Sequence, residues 1–279
     1  MASLAPEEFR VEDDGRSLAG ETQGEGPSLV LCHGLSATRR YVVHGSRHLP
    51  RRGYRLVTYD ARGHGESDPA NEYGYEGLAA DLDLVIGATG ATGGPGAILG
   101  GHSMGCHTVA RRALADPEGI RALILIGPVF TGEADDDARW DRRAEALEQG
   151  GPEAFAEVVA EGSPSEEAYR TSFRLARDRA RLHRHPEAVA AALRQVPRSK
   201  PFEDIDRLGE IPVPTLVVAS HDEFDPGHPY DAAVAWAQRI PGAEFVSEEP
   251  GESPLAWQGG MLSREIESFL ERAGLAPGR

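Results

Sequence analysis

Short apolar runs alternate with stretches of helical period along most of this chain. The segments Ser28–Cys32, Tyr54–Tyr59, Gly96–Gly100, Arg121–Ile126 and Pro214–Ala219 carry little polar alternation. That is the pattern of parallel strands covered on both faces. A last strand is expected around 244–247. Between the runs, Leu78, Leu82, Val85 and Ile86 recur at helix spacing, as do Val109, Ala110, Ala113 and Leu114. The segments 231–240 and 262–270 read the same way. Strands that alternate with helices predict an α/β fold, a mostly parallel sheet flanked by helices and joined by right-handed crossovers.

The alternation stops between about 131 and 204. There the chain turns charged and helical, and Pro152, Pro164, Pro186 and Pro197 divide it into three or four short helices. A helical insert between two strands of a parallel sheet is expected to lie over the strands' C-terminal ends. The expected organisation is a core of residues 1–130 and 205–279 with a helical lid of residues 131–204.

Composition narrows the function classes. A chain of 279 residues with 40% hydrophobic and 6% aromatic residues buries a full core, which excludes disorder. No apolar run approaches the roughly 20 residues that span a bilayer. The N-terminal Met1 to Glu8 lacks a basic segment followed by an apolar core, so a cytoplasmic location is expected. A net charge of -16 argues against nucleic acid as a partner, because little here would displace counterions from phosphates. Lys200 is the sole lysine amid abundant arginine, alanine and glycine, the coding bias of a GC-rich, bacterial genome. Cys32 and Cys106 make neither a disulfide framework nor a zinc set, and read as small buried thiols, with a functional pair as the alternative. Asp135-Asp136-Asp137 reads as a solvated turn and not as a metal site.

The chemistry concentrates after the third apolar run, in Gly101-His102-Ser103-Met104-Gly105. Gly-x-Ser-x-Gly alone is a weak pattern. Here it closes a strand and opens a helix, the setting of a nucleophile elbow. A turn so tight needs glycine on either side of the serine, and it presents Ser103 at a helix N-terminus, where negative charge is favoured. His33-Gly34-Leu35 ends the first apolar run. The backbone N–H groups of Leu35 and Met104 are the expected oxyanion donors, each typically worth about 3 kcal/mol in the transition state. His33 is expected to be structural.

These motifs, together with Tyr59-Asp60-Ala61-Arg62-Gly63-His64-Gly65-Glu66-Ser67, resemble the signature series of the α/β-hydrolase fold family, over the whole chain except the lid. The resemblance implies that 60–67 is a structural turn, so that His64 and Asp68 do not catalyse. It places the catalytic acid at Asp222, in His221-Asp222-Glu223-Phe224-Asp225-Pro226, with Asp225 as a competitor that caps a turn. It also calls for a histidine after the last strand, where this chain reads Pro250-Gly251-Glu252-Ser253. Glu252 occupies the base position, and no histidine follows His228. Three readings stay open. Another histidine substitutes, with His228 first and His183 or His185 of the lid behind it. Glu252 itself takes the proton, although a carboxylate near pKa 4.3 is a poor base at neutral pH. Or hydrolysis is crippled and the fold binds a ligand.

The expected function is a serine hydrolase of carboxylic esters or related small acyl substrates, carboxylesterase-like, with no metal and no organic cofactor. The alternatives are a catalytically impaired ligand-binding protein and a C–C bond hydrolase or acyltransferase. Phe130, Trp140, Phe155, Phe173 and Trp257 are candidates for lining the pocket or for packing the lid onto the core.

Overall fold

The computed structural model describes residues 4–91, 96–221 and 227–278. The apolar runs become a sheet of β3 (Ser28–Cys32), β4 (Arg55–Tyr59), β5 (Ala97–His102), β6 (Ile120–Ile126), β7 (Thr215–Val218) and β8 (Glu244–Val246), all parallel. Two more strands precede them, β1 (Glu7–Asp13) and β2 (Arg16–Gln23), in the order β1-β2-β4-β3-β5-β6-β7-β8. This hairpin joins antiparallel through β2 against β4. Apolar periodicity does not reveal the hairpin, because β1 has Val11 as its one buried residue. Its signal is Asp14-Gly15, where both residues have positive φ (46° and 79°), as a two-residue hairpin turn requires.

The strand period of two feeds two cores from the same run. Val30, Leu99, Leu123, Leu125 and Val217 face one side of the sheet, under α2 (Tyr75–Thr89), α3 (Met104–Ala115) and α7 (Tyr230–Arg239). Leu29, Leu31, Ile98, Ile124 and Val218 face the other, under α1 (His48–Arg51) and α8 (Gly259–Arg272). Each such side chain contributes roughly 1.5–3 kcal/mol of burial, which explains why these strands read as unbroken apolar runs.

Between β6 and β7 run α4 (Arg139–Ala160), α5 (Glu166–Ala180) and α6 (Pro186–Gln195). α4 is broken at Gly151 (φ 66°), just before Pro152, whose ring is not compatible with an uninterrupted helix. Ser165 caps α5 by accepting the Ala168 N–H at 3.1 Å, and Pro186 opens α6. These helices share a small core of their own, built from Ala144, Leu147, Phe155, Ala176 and Val189. α6 also packs on the main body, through Ala188, Ala192 and Val196 against Tyr73, Tyr75 and Met104. Among the described residues no helix is long and apolar enough to cross a membrane.

Because α6 is held on both sides and α5 exposes Tyr169 and Leu175, amides of α5 should exchange faster than those of α6. Hydrogen exchange read by mass spectrometry checks this, with equal protection of the two helices as the contrary result.

Candidate active site

The C-terminal ends of β3, β5 and β6 converge on Ser103. Its backbone (φ 52°, ψ -114°) is a conformation that L-residues rarely hold, and the turn tolerates it because both flanking positions are glycine. A Cβ on Gly101 would lie 2.2 Å from the Gly105 carbonyl carbon, and one on Gly105 would lie 2.1 Å from the Cys32 carbonyl oxygen. The first contact is the turn itself, and the second is α3 packing on β3. The Ser103 N–H donates to the Ile126 carbonyl at 2.9 Å, which ties the elbow to β6.

The loop after β3 passes directly over the elbow. A Cβ on Gly34 would meet His102 Nδ1 at 3.0 Å and Ser103 Cβ at 3.4 Å. Leu35 and Met104 follow Gly34 and Ser103, and among the described residues neither of their N–H groups donates to a protein acceptor. Both residues flank the elbow, and Leu35 also touches the core of the insert.

Around Ser103 stands a ring of aromatic and imidazole groups. The His102 ring lies 4.8 Å from that of His228 and 5.3 Å from that of Trp257, centroid to centroid. His228 is half-buried, and its Cδ2 would be 3.2 Å from a Cβ on Gly127, at the end of β6. The fold brings His228 against the residue that precedes the serine. Trp257 is the aromatic that meets the elbow. Phe130 packs with Phe202 and Trp236 in the core, while Trp140, Phe155 and Phe173 belong to the core of the insert.

Residues 27–259 match the sequence profile of the family described as alpha/beta hydrolase fold. The chain belongs to that family. A putative carbamate hydrolase RutD of Agrobacterium fabrum is 30% identical over 235 residues, 81% of this chain and 85% of its own length. One of the same name from Variovorax paradoxus is 28% identical over 268 residues, covering 91% and 95%. Among solved structures, a thermophilic esterase from Thermogutta terrifontis superposes with a TM-score of 0.78 at 25% identity, covering 96% of this chain and 99% of its own. An enol-lactonase from Burkholderia xenovorans shares the fold, with a TM-score of 0.72 at 20% identity over 96% and 99% of the two chains.

In this α/β-hydrolase the expected site residues are distributed unevenly. Asp222, with Asp225 and Pro226, lies outside the described residues. Glu252 is exposed in the loop after β8, and its carboxylate accepts the Glu249 N–H at 3.4 Å within its own turn. Among the described residues no hydrogen bond joins it to Ser103. His183 has both ring nitrogens engaged. Nδ1 accepts the Gly65 N–H at 2.9 Å, so Nε2 carries the proton it donates to the Ser36 carbonyl at 3.2 Å. Burial and the neighbouring His64 lower it to about 3, so it is a neutral staple between insert and core. His185 is half-buried beside Glu187 at 3.3 Å.

Two other buried histidines stand in line with it. His33 accepts the Ala61 N–H on Nε2 at 2.9 Å and donates from Nδ1 to the Gly34 carbonyl at 2.8 Å. His64 donates from Nδ1 to the Arg62 carbonyl at 2.9 Å and accepts the Ser36 N–H at 3.4 Å. The segment 60–67 is the framework turn expected of the family: the Asp60 carboxylate accepts the Arg39 and Glu66 N–H groups at 2.7 and 3.0 Å and pairs with the Arg39 guanidinium. Asp68 is likewise structural, accepting the Ser17 N–H at 2.9 Å. Both cysteines are buried, and burial pushes the Cys32 thiol up to about 12, far from a nucleophile's range.

One residue of the site escaped the sequence reading. Glu248 is buried and clamps two loops, accepting the His221 N–H that leads into the acid loop and the Leu255 N–H at 2.8 Å that leads to Trp257. Among Glu248, Glu249 and Glu252, only burial singles it out.

Proposed function

We propose that this protein is a serine hydrolase of carboxylic esters or related acyl substrates, carbamates included. Ser103 attacks, and the Leu35 and Met104 N–H groups hold the oxyanion. His228 accepts the serine proton, directly or through His102, and Asp222 supports the charge that forms. The observation that carries the reading is the strained Ser103 backbone, with the Leu35 and Met104 N–H groups of the flanking turns making no hydrogen bond among the described residues. The names of the relatives, carbamate hydrolases and an esterase, support the same class of acyl chemistry. The helices of residues 131–204 act as the lid over this cleft, and the reaction uses no cofactor. A second reading, an impaired ligand-binding protein, is favoured by one observation, the exposed Glu252 at the position where the family carries its base.

A fluorophosphonate probe separates these readings. Labelling of Ser103 that disappears in Ser103→Ala supports the hydrolase, and no labelling of the wild type supports the binder. The base assignment has its own test. His228→Gln should lower kcat for a small activated ester by roughly 10² to 10⁴, the usual contribution of a general base. Glu252→Gln should change it by less than about twofold, as a solvated surface carboxylate would. The reverse ranking returns the base to Glu252.

A further inference from the structure

The turn after β3 is gripped by residues far from it in sequence. Gly34, Leu35, Ser36 and Ala37 form a β-turn, closed by the Ala37 N–H donating to the Gly34 carbonyl at 3.1 Å. Ser36 is its third residue and has φ 58°, a region that such turns usually fill with glycine or asparagine. Its main chain is held from both sides. The Ser36 N–H donates to His64 Nε2 at 3.4 Å, and the Ser36 carbonyl accepts from His183 Nε2 at 3.2 Å. His64 belongs to the framework turn of the core, whereas His183 sits at the corner between α5 and α6 of the insert. The insert has a second hold on the same turn. The Leu35 side chain packs against the core of the insert and against the cluster where Ala188 and Ala192 of α6 meet Met104.

We propose that His183 is a positioning residue for the oxyanion donor of Leu35, so that this donor is set only while the insert is seated on the core. This deepens the serine hydrolase reading and rests on it. The Leu35 N–H shares one planar trans peptide with the Gly34 carbonyl, so the two point in opposite directions. That carbonyl accepts from the Ala37 N–H and from His33 Nδ1 at 2.8 Å, and fixing it fixes the N–H as well. The Ala37 bond lasts only while Ser36 keeps its positive φ, which is strained for an L-residue. Released by His183, Ser36 relaxes to negative φ and the Leu35–Ser36 peptide turns over. The Gly34–Leu35 peptide then loses one of its two anchors. A donor that wanders from the developing oxyanion stabilises it less, so the loss falls on kcat more than on KM.

Asparagine and glutamine at this position separate positioning from simple fastening. A Gln amide reaches the place of an imidazole Nε2, and an Asn amide reaches the place of Nδ1. His183→Gln therefore keeps the donor to Ser36 and gives up the Gly65 contact, while His183→Asn does the reverse. Each loses one hydrogen bond, so the two variants should melt within about 3 °C of each other. For 4-nitrophenyl butyrate, His183→Asn should lower kcat at least about tenfold and leave KM within about threefold. His183→Gln should restore kcat to within about threefold of the wild type. Inhibition by an alkyl trifluoromethyl ketone, whose adduct with Ser103 carries an oxyanion, should weaken in parallel with kcat. Equal kcat values in the two variants, or a larger loss in His183→Gln, overturn the proposal and make His183 a fastener of the insert. If the wild type turns over no ester, the hydrolase reading fails, and the grip of the insert on the turn is read from exchange of the Ala37 amide. Exchange at least about tenfold faster in His183→Asn than in His183→Gln supports that grip, and equal rates overturn it.

Discussion

Moving from pH 7 to pH 5 should cost this protein roughly 5 kcal/mol of stability, enough to bring many domains of this size to the edge of unfolding. The cause is three histidines buried in the neutral form. His33, His107 and His183 are each lowered to about 3, foremost by burial. His107 accepts the Val129 and Phe130 N–H groups on Nε2 at 3.0 and 3.3 Å, leaving its proton on Nδ1 toward the Tyr75 hydroxyl at 2.8 Å. In the unfolded chain each imidazole takes a proton near pH 6.5, while the folded one stays neutral until about pH 3. The unfolded state therefore binds more protons throughout that window. Stability is fully present above pH 6.5 and falls as the pH drops, by about 1.4 kcal/mol per unit for each histidine. Chemical denaturation at a series of pH values checks the slope, and His183→Gln should reduce it by about a third. A flat profile between pH 7 and 5 contradicts the account.

Replacing Ser103 by alanine or by glycine should in both cases lower ester turnover by at least about 10³, since a missing nucleophile leaves only binding and oxyanion stabilisation. The two variants should differ in stability. Alanine keeps the Cβ that makes φ 52° costly, and glycine does not. Ser103→Gly should be more stable than Ser103→Ala by about 1–2 kcal/mol, or roughly 2–5 °C in Tm. Both lack the hydroxyl, so the difference reports the backbone strain less the extra entropy that glycine loses on folding. A glycine variant that melts at or below the alanine variant means that any strain at the elbow is no larger than the roughly 0.4–1 kcal/mol entropy cost of glycine.

The parallel strands, the elbow and the His33-Gly34-Leu35 turn were legible because each is written locally. A run such as Arg121–Ile126 or a pair such as Gly101 and Gly105 carries its structural reason within a few residues. The β1–β2 hairpin was harder to read because an edge ribbon need not bury a face. The histidine assignments were illegible for a different reason. What neutralises His183 as a base is the Gly65 N–H and the Ser36 carbonyl, backbone atoms more than a hundred residues away. His228 beside His102, and Glu248 between its two loops, likewise depend on which loops the closed sheet brings together.

The attachment of the insert to the core has a consequence for engineering. Gly65 receives His183 and, through its carbonyl, the Arg184 N–H at 2.8 Å, while Ser36 offers a carbonyl to the same imidazole. On the core side all three atoms are main chain, so the socket does not depend on the Ser36 side chain, while Gly65 has to stay glycine because a Cβ there (φ 52°) would run into the Asp60 carboxylate. A foreign helical segment that brings one imidazole at the right step of its α5–α6 corner would find the same socket. If the insert is the proposed lid, transplanting such segments would exchange it without redesigning the sheet, so new substrate ranges could be sampled as cassettes on one chassis.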